Sequence, residues 1–307
     1  MKLKTLNCVM ALIGLYPGTG SAQQLITVDD YPVHHGFHVR DYPTGTGTPL
    51  LSWFDLWYVF PDHHIQQIGV LPTGNDIEIS FRDDDNDDMT GYSVGHYIYP
   101  NVPWESASEI CSSGLSCVTQ LSPKPDDSEF VLIGFEAEYL DGDHHLRQLS
   151  IFESEGKLVV WFGDQYFDDD MAFRVDYSWV PRKNIVSMGH WGDGSSNGRI
   201  YAPSGELPNG PIVIQGFAAN YLDDDHHVGR LAVSPDEVDL YDDDHDDAMR
   251  GQVKWLELAP DESGKPPPID VKGAFEPPPL EMDGWSEPPR YLDGYFESPQ
   301  FSFVAKP

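Results

Sequence analysis

The chain has 307 residues, with 18 Lys and Arg against 51 Asp and Glu, a formal net charge of −33 at pH 7. A surface this acidic repels nucleic acid and anionic membranes, and it favours cations or a saline medium. Aromatic residues are 12% of the chain, which excludes a disordered acidic polymer and leaves apolar material for several small cores.

Residues 1–22 have the layout of an export signal. Lys2 and Lys4 give a basic start, Cys8 to Tyr16 an apolar stretch, and Gly20-Ser21-Ala22 a small-residue cleavage site. Cleavage after Ala22 removes two lysines and takes the formal charge from −33 to −35. Cys8 precedes the apolar run, so it does not resemble a lipid-attachment cysteine. No later stretch is long and apolar enough to span a bilayer. The expectation is an exported protein, periplasmic or extracellular. There Cys111 and Cys117, in Cys-Ser-Ser-Gly-Leu-Ser-Cys, are expected to close a local disulfide.

Asp-His-His occurs three times, at Asp62-His63-His64, Asp143-His144-His145 and Asp225-His226-His227, 81 and 82 residues apart. Each copy has a Phe and then a Tyr upstream: Phe54 and Tyr58, Phe135 and Tyr139, Phe217 and Tyr221. Asp88, Asp169 and Asp247 are each followed six residues later by Val94, Val175 and Val253. A fixed period this long marks three copies of one domain-sized unit. The expected organisation is repeat 1 over 23–100, repeat 2 over 101–181, repeat 3 over 182–259 and a Pro-rich, aromatic tail over 260–307.

Within each copy the pattern predicts strands. Val131 to Phe135 and Ile212 to Ile214 are short apolar runs bounded by turn formers. Ile65 to Val70 and Ile77 to Phe81 resemble a hairpin around Pro72-Thr73-Gly74-Asn75. Leu146 to Ile151 with Leu158 to Phe162, and Val228 to Val233 with Val238 to Tyr241, match it. A last strand alternates through Tyr92, Val94, His96 and Ile98, and again through Phe173 to Trp179. Segments 104–127 and 185–208 are linkers or additional strands, and Gln23 to Thr48 supplies the same element to copy one. No window shows a helical stripe. The prediction is all-β: three tandem antiparallel β-sandwich repeats of about 80 residues, either separate or in one pseudo-threefold assembly.

Asp-His-His precedes the second strand of each copy, and an acidic cluster follows the third. These clusters are Asp83 to Asp88, Asp164 with Asp168 to Asp170, and Asp242 to Asp247 with His245 among them. Hairpin pairing of Ile65 near Phe81 places His64 beside Arg82 and Asp83. Alternation then lets Asp62 and His64 share a face while His63 takes the other. This predicts one His/Asp cation site per copy. Its ligands are Asp62, His64, Asp83, Asp85 and Asp87 in copy one. They are Asp143, His145, Asp164 and Asp168 in copy two, and Asp225, His227, Asp242, Asp244 and Asp246 in copy three. The alternating oxygens resemble a calcium loop, although the Gly and terminal Glu of an EF-hand are absent; imidazole participation suits zinc or manganese. Crowded carboxylates repel by roughly 1 kcal/mol per pair even in water, which a cation relieves. The competing reading has His and Asp bonding each other at the hairpin end, with the remaining acids solvated. Copy two carries Tyr166 where Asp85 stands, so it is the expected odd site. His63, His144 and His226 and the rings of Tyr58, Tyr139 and Tyr221 are the candidate ligand contacts. The alternative for the tyrosines is a core position behind the histidines.

Pro211-Ile212-Val213-Ile214-Gln215-Gly216-Phe217, the turn Asp223-Asp224-Asp225, the strand Val228 to Val233 and Val253-Lys254-Trp255-Leu256 resemble an H-type lectin domain. Copy two is similar at Val131 to Phe135 and Val175 to Trp179, and copy one matches least. The resemblance implies six-stranded antiparallel sandwiches that assemble in threes and bind N-acetylgalactosamine-type sugars at subunit edges. The doubled His and the Asp-rich third loop depart from that family. The resulting expectation is a non-enzymatic binding protein for carbohydrate or cell-surface ligands, with three sites gaining avidity on one chain. The alternatives are a structural subunit of an extracellular filament, surface layer or matrix, self-associating through its tail, and a metal-dependent hydrolase.

Overall fold

A computed structural model describes residues 24–34, 36–42, 47–58, 64–83, 89–112, 116–142, 144–164, 169–195, 197–202, 210–222, 227–241 and 248–259. The expected leader and Pro-rich tail lie outside them.

The chain runs through one strand order three times. Copy one holds β1 (Gln24–His34), β2 (Phe37–Asp41), β3 (Thr48–Tyr58), β4 (Gln67–Thr73), β5 (Asp76–Arg82) and β6 (Met89–Tyr99). Copy two holds β7 (Glu105–Cys111), β8 (Cys117–Gln120), β9 (Ser128–Tyr139), β10 (Gln148–Ser154), β11 (Lys157–Gly163) and β12 (Met171–Pro181). Copy three holds β13 (Ile185–Ser195), β14 (Arg199–Tyr201), β15 (Ile212–Tyr221), β16 (Arg230–Ser234), β17 (Glu237–Tyr241) and β18 (Met249–Leu258). One 3-10 turn, Arg182–Asn184, joins copies two and three, and the described residues contain no α-helix. The segments between copies therefore form strands, as do residues 24–34 and 37–41.

Three six-stranded antiparallel sheets result, each built from two copies. Their orders are β1-β6-β3-β16-β17-β14, β2-β5-β4-β9-β12-β7 and β13-β18-β15-β10-β11-β8. The first, sixth and third strands of one copy form half of a sheet, and the hairpin and second strand of another copy complete it. Cyclic exchange among three copies makes the fold a single pseudo-threefold assembly.

Local chemistry sets the hairpins. The β10–β11 turn puts Glu155 at φ 52° and Gly156 at φ 79°, the left-handed pair that suits the twist of flanking strands. In the first hairpin Ile68 pairs with Phe81 and Gln67 with Arg82. The expected pairing of Ile65 near Phe81 is thus three residues out of register. Ile65 instead bridges His144 of copy two. There β9 of copy two already pairs with the free edge of β4.

Strands β3, β9 and β15 meet at the pseudo-threefold axis. Alternation turns Phe54, Phe135 and Phe217 inward, and their ring centroids lie 5.1, 5.3 and 5.5 Å apart. Edge-to-face packing of this kind adds to the burial of three large rings. Toward one end of the axis lie Leu50, Val131 and Val213 with Leu256 and Leu258. Cys111 and Cys117 are joined as a disulfide between β7 and β8, with Cα atoms 5.9 Å apart.

Candidate metal centre

At the other end of the axis stand His64, His145 and His227, one from each copy. Their Nε2 atoms are 2.7 Å apart for His64 and His145, and 2.9 Å for each of the other two pairs. Ring centroids are separated by 4.2 to 4.6 Å. All three side chains are partly buried.

Backbone bonds between copies place these rings. Two residues after each histidine, a carbonyl accepts from the amide of the tyrosine that ends β3, β9 or β15 of another copy. Tyr139 N donates to Gln66 O at 2.9 Å, Tyr221 N to Arg147 O at 2.9 Å and Tyr58 N to Gly229 O at 2.9 Å. The Ile65–His144 bridge adds bonds of 2.8 and 3.0 Å beside His64 and His145. Ile65, Leu146 and Val228, each following its histidine, are fully buried and anchor the approach.

The contact is chemically frustrated without an added charge. A ring nitrogen is either an N–H donor or a lone-pair acceptor. Among three nitrogens in mutual contact at least two share a role, so at least one contact repels. A divalent ion on the axis resolves this by taking all three lone pairs. A tetrahedral ion with metal–nitrogen bonds of about 2.0–2.1 Å keeps its nitrogens about 3.3 Å apart, so each ring withdraws by roughly 0.3 Å. Three imidazoles suit zinc, copper, nickel or iron and do not suit calcium, which takes oxygen ligands. A tripod of this kind leaves a fourth position for an external ligand.

This arrangement corrects the expected layout. His64, His145 and His227, expected at three separate sites, meet one another. Asp83 and Asp164 are nearly buried, and among the described residues they belong to neither cluster able to hold a metal. It is the first histidine of copy two, His144, that meets the acidic segment, lying between Asp141 and Asp169. Tyr58, Tyr139 and Tyr221 are 5, 0 and 0% exposed. Their faces are closed to a ligand, and the core position is the one the structure gives them. Asp62, His63, Asp85, Asp87, Asp143, Asp168, Asp225, His226, Asp242, Asp244 and Asp246 lie outside the described residues.

Two polar groups elsewhere in the interior bear on stability. His96 is fully buried, with Nε2 2.8 Å from Ile133 O and Nδ1 2.7 Å from the Tyr42 hydroxyl. The carbonyl only accepts, so Nε2 carries the proton and Nδ1 accepts from Tyr42. Burial lowers the His96 pKa to about 4, against the opposing pull of the Ile133 carbonyl. At the β3–β16 joint, Arg230 holds Asp55 through two bonds of 2.7 Å and also holds Asp239. Arg199 meets the same Asp239 oxygen at 2.7 Å. Burial pushes the Asp239 carboxyl above its ordinary value, while the two guanidinium groups pull it down.

No protein-family model and no curated protein matches this chain.

Proposed function

We propose that the chain is an exported, non-enzymatic binding protein. Its three copies are held in register by one transition-metal ion on the pseudo-threefold axis. They present carbohydrate or other cell-surface ligand sites around that axis. The observation that carries this reading is the meeting of three Nε2 atoms within 2.9 Å, one from each copy. An ion there ties the copies together where their hairpins exchange, so metal loading and ligand presentation are coupled. The test is binding to a glycan array before and after metal removal. Binding that requires the loaded protein supports the reading, and binding that is absent or indifferent to a chelator overturns it.

Open sheet edges favour a second reading, a structural subunit. Ile110 on edge strand β7 is 69% exposed, and Val186 and Met188 on edge strand β13 are 59 and 48% exposed. Apolar open edges of this kind invite pairing with another chain. A strict monomer both with and without divalent ions contradicts it.

A further inference from the structure

We propose that Asp141, His144 and Asp169 form a second divalent-cation site, separate from the axis, taking an ion of the manganese or zinc class through two carboxylates and one imidazole nitrogen. His144 Nε2 lies 3.3 Å from Asp141 Oδ1, and Nδ1 lies 3.3 Å from Asp169 Oδ1. One ligand atom from each of the three residues falls within 4.8 Å of the other two. A neutral imidazole has one N–H, so one of its nitrogens turns a lone pair toward a carboxylate. Nε2 is buried and makes no hydrogen bond. An imidazolium would draw both carboxylates to about 2.7–2.9 Å, the length of charge-assisted bonds. The 3.3 Å between Nε2 and Asp141 Oδ1 is instead the spacing of neighbouring ligands around one ion, since bonds of about 2.1–2.2 Å at right or tetrahedral angles give roughly 3.0–3.5 Å; Asp169, held at the Nδ1 side, supplies its carboxylate within 4.8 Å.

The ring is fixed before any ion arrives. Tyr139 packs on it at 4.6 Å between centroids, and Phe162 stacks behind Tyr139 at 4.3 Å. The backbone of His144 is tied by its bridge to Ile65. Leu140 N donates to Asp170 O at 2.8 Å, which keeps the segments bearing Asp141 and Asp169 side by side. Asp169 is 11% and Asp141 52% exposed, so the site has a buried wall and an open side through which an ion enters. In sequence, copy three has Asp223, His226 and Asp247 at the matching positions, whereas copy one has Phe60.

The test uses Mn²⁺ as probe, on the full chain carrying His64→Ala, His145→Ala and His227→Ala so that the axial ligands are gone. Half-molar salt suppresses diffuse binding to the acidic surface. Pulsed electron paramagnetic resonance then reads coupling between Mn²⁺ and an imidazole nitrogen. The proposal predicts this coupling, its loss when His144→Ala is added, and at least tenfold weaker Mn²⁺ binding with Asp141→Asn. Asp141→Asn is conservative and half-exposed, so it keeps the test valid should His144→Ala unfold the chain. Absence of nitrogen coupling, coupling unchanged in His144→Ala, or affinity unchanged in Asp141→Asn overturns the proposal. The cluster is then an imidazolium clamp between two carboxylates.

Discussion

At the residue scale, buried polar atoms state their charge through their partners. His96 serves a carbonyl with one nitrogen and a hydroxyl with the other, contacts that a neutral ring satisfies, and burial penalises the charged form. Its pKa falls from 6.5 to about 4 on burial. Because the folded value is depressed, the unfolded chain takes up the proton first as pH drops. Stability is therefore lost between pH ~6.5 and ~4 and is flat below, a total of roughly 3 kcal/mol. Urea titrations across this range should show that slope in the wild type, and His96→Gln should reduce it. The axial phenylalanines give a second prediction. Phe135→Ala should cost about 3–5 kcal/mol, because facing rings from two other copies cannot close the void; denaturant midpoints measure it. Phe54, Tyr58 and their counterparts were legible in the sequence as a repeated pair on one face of a strand. What the spacing left open was whether the tyrosines face a ligand or the core. That depends on which strand lies beyond them, and this strand belongs to another copy.

At the element scale, the strands follow from alternation and turn residues, and the positions of the three hairpins agree with the pattern. Partner choice does not follow. A hairpin can complete its own copy's half-sheet or another's with the same local sequence, and period-2 alternation is indifferent between them. The pairing of β4 with β5 inside copy one agrees with the pattern, and only its register differs, Ile68 taking the place opposite Phe81 that was expected for Ile65. The structure resolves partner choice through groups that join β3 to β16. Arg230 reaches from copy three to Asp55 of copy one and shares Asp239 with Arg199. Arg230→Ala takes one of two guanidinium partners from the buried Asp239 and both bonds from the partly buried Asp55, and should destabilise by about 3 kcal/mol. Arg230→Lys should restore less than half, because an ammonium cannot span Asp55 with two parallel bonds. Gly91 and Gly95 on β6 mark the other side of that sheet. A Cβ would come within 2.3 Å of Trp57 and 2.2 Å of Trp53 respectively. Gly95→Ala should displace the Trp53 indole, read as a shift in tryptophan emission.

At the scale of the whole molecule, exchange of hairpins makes the three copies one folding unit. Strands β3, β9 and β15 each have their own copy on one side and another copy on the other. Unfolding should therefore be a single transition, with calorimetric and van 't Hoff enthalpies equal. Three separable transitions would mean three independent domains. A fragment ending at residue 181 lacks β16 and β17 and exposes the edge of β3, so it should aggregate or associate instead of folding alone. Three equal copies with an identical histidine in each were visible from the sequence. Whether they stand apart or share one axis is open in the sequence, because local pattern carries no information on closure. The most direct test of the account is X-ray absorption of chelator-stripped protein reloaded with one zinc per chain, in the wild type and in His64→Ala, His145→Ala and His227→Ala. The account predicts an imidazole-dominated coordination sphere in the wild type, lost together with the tightest zinc equivalent in every single variant. Three equal equivalents, with each variant removing only one, would contradict it, as would zinc binding that none of the variants alters.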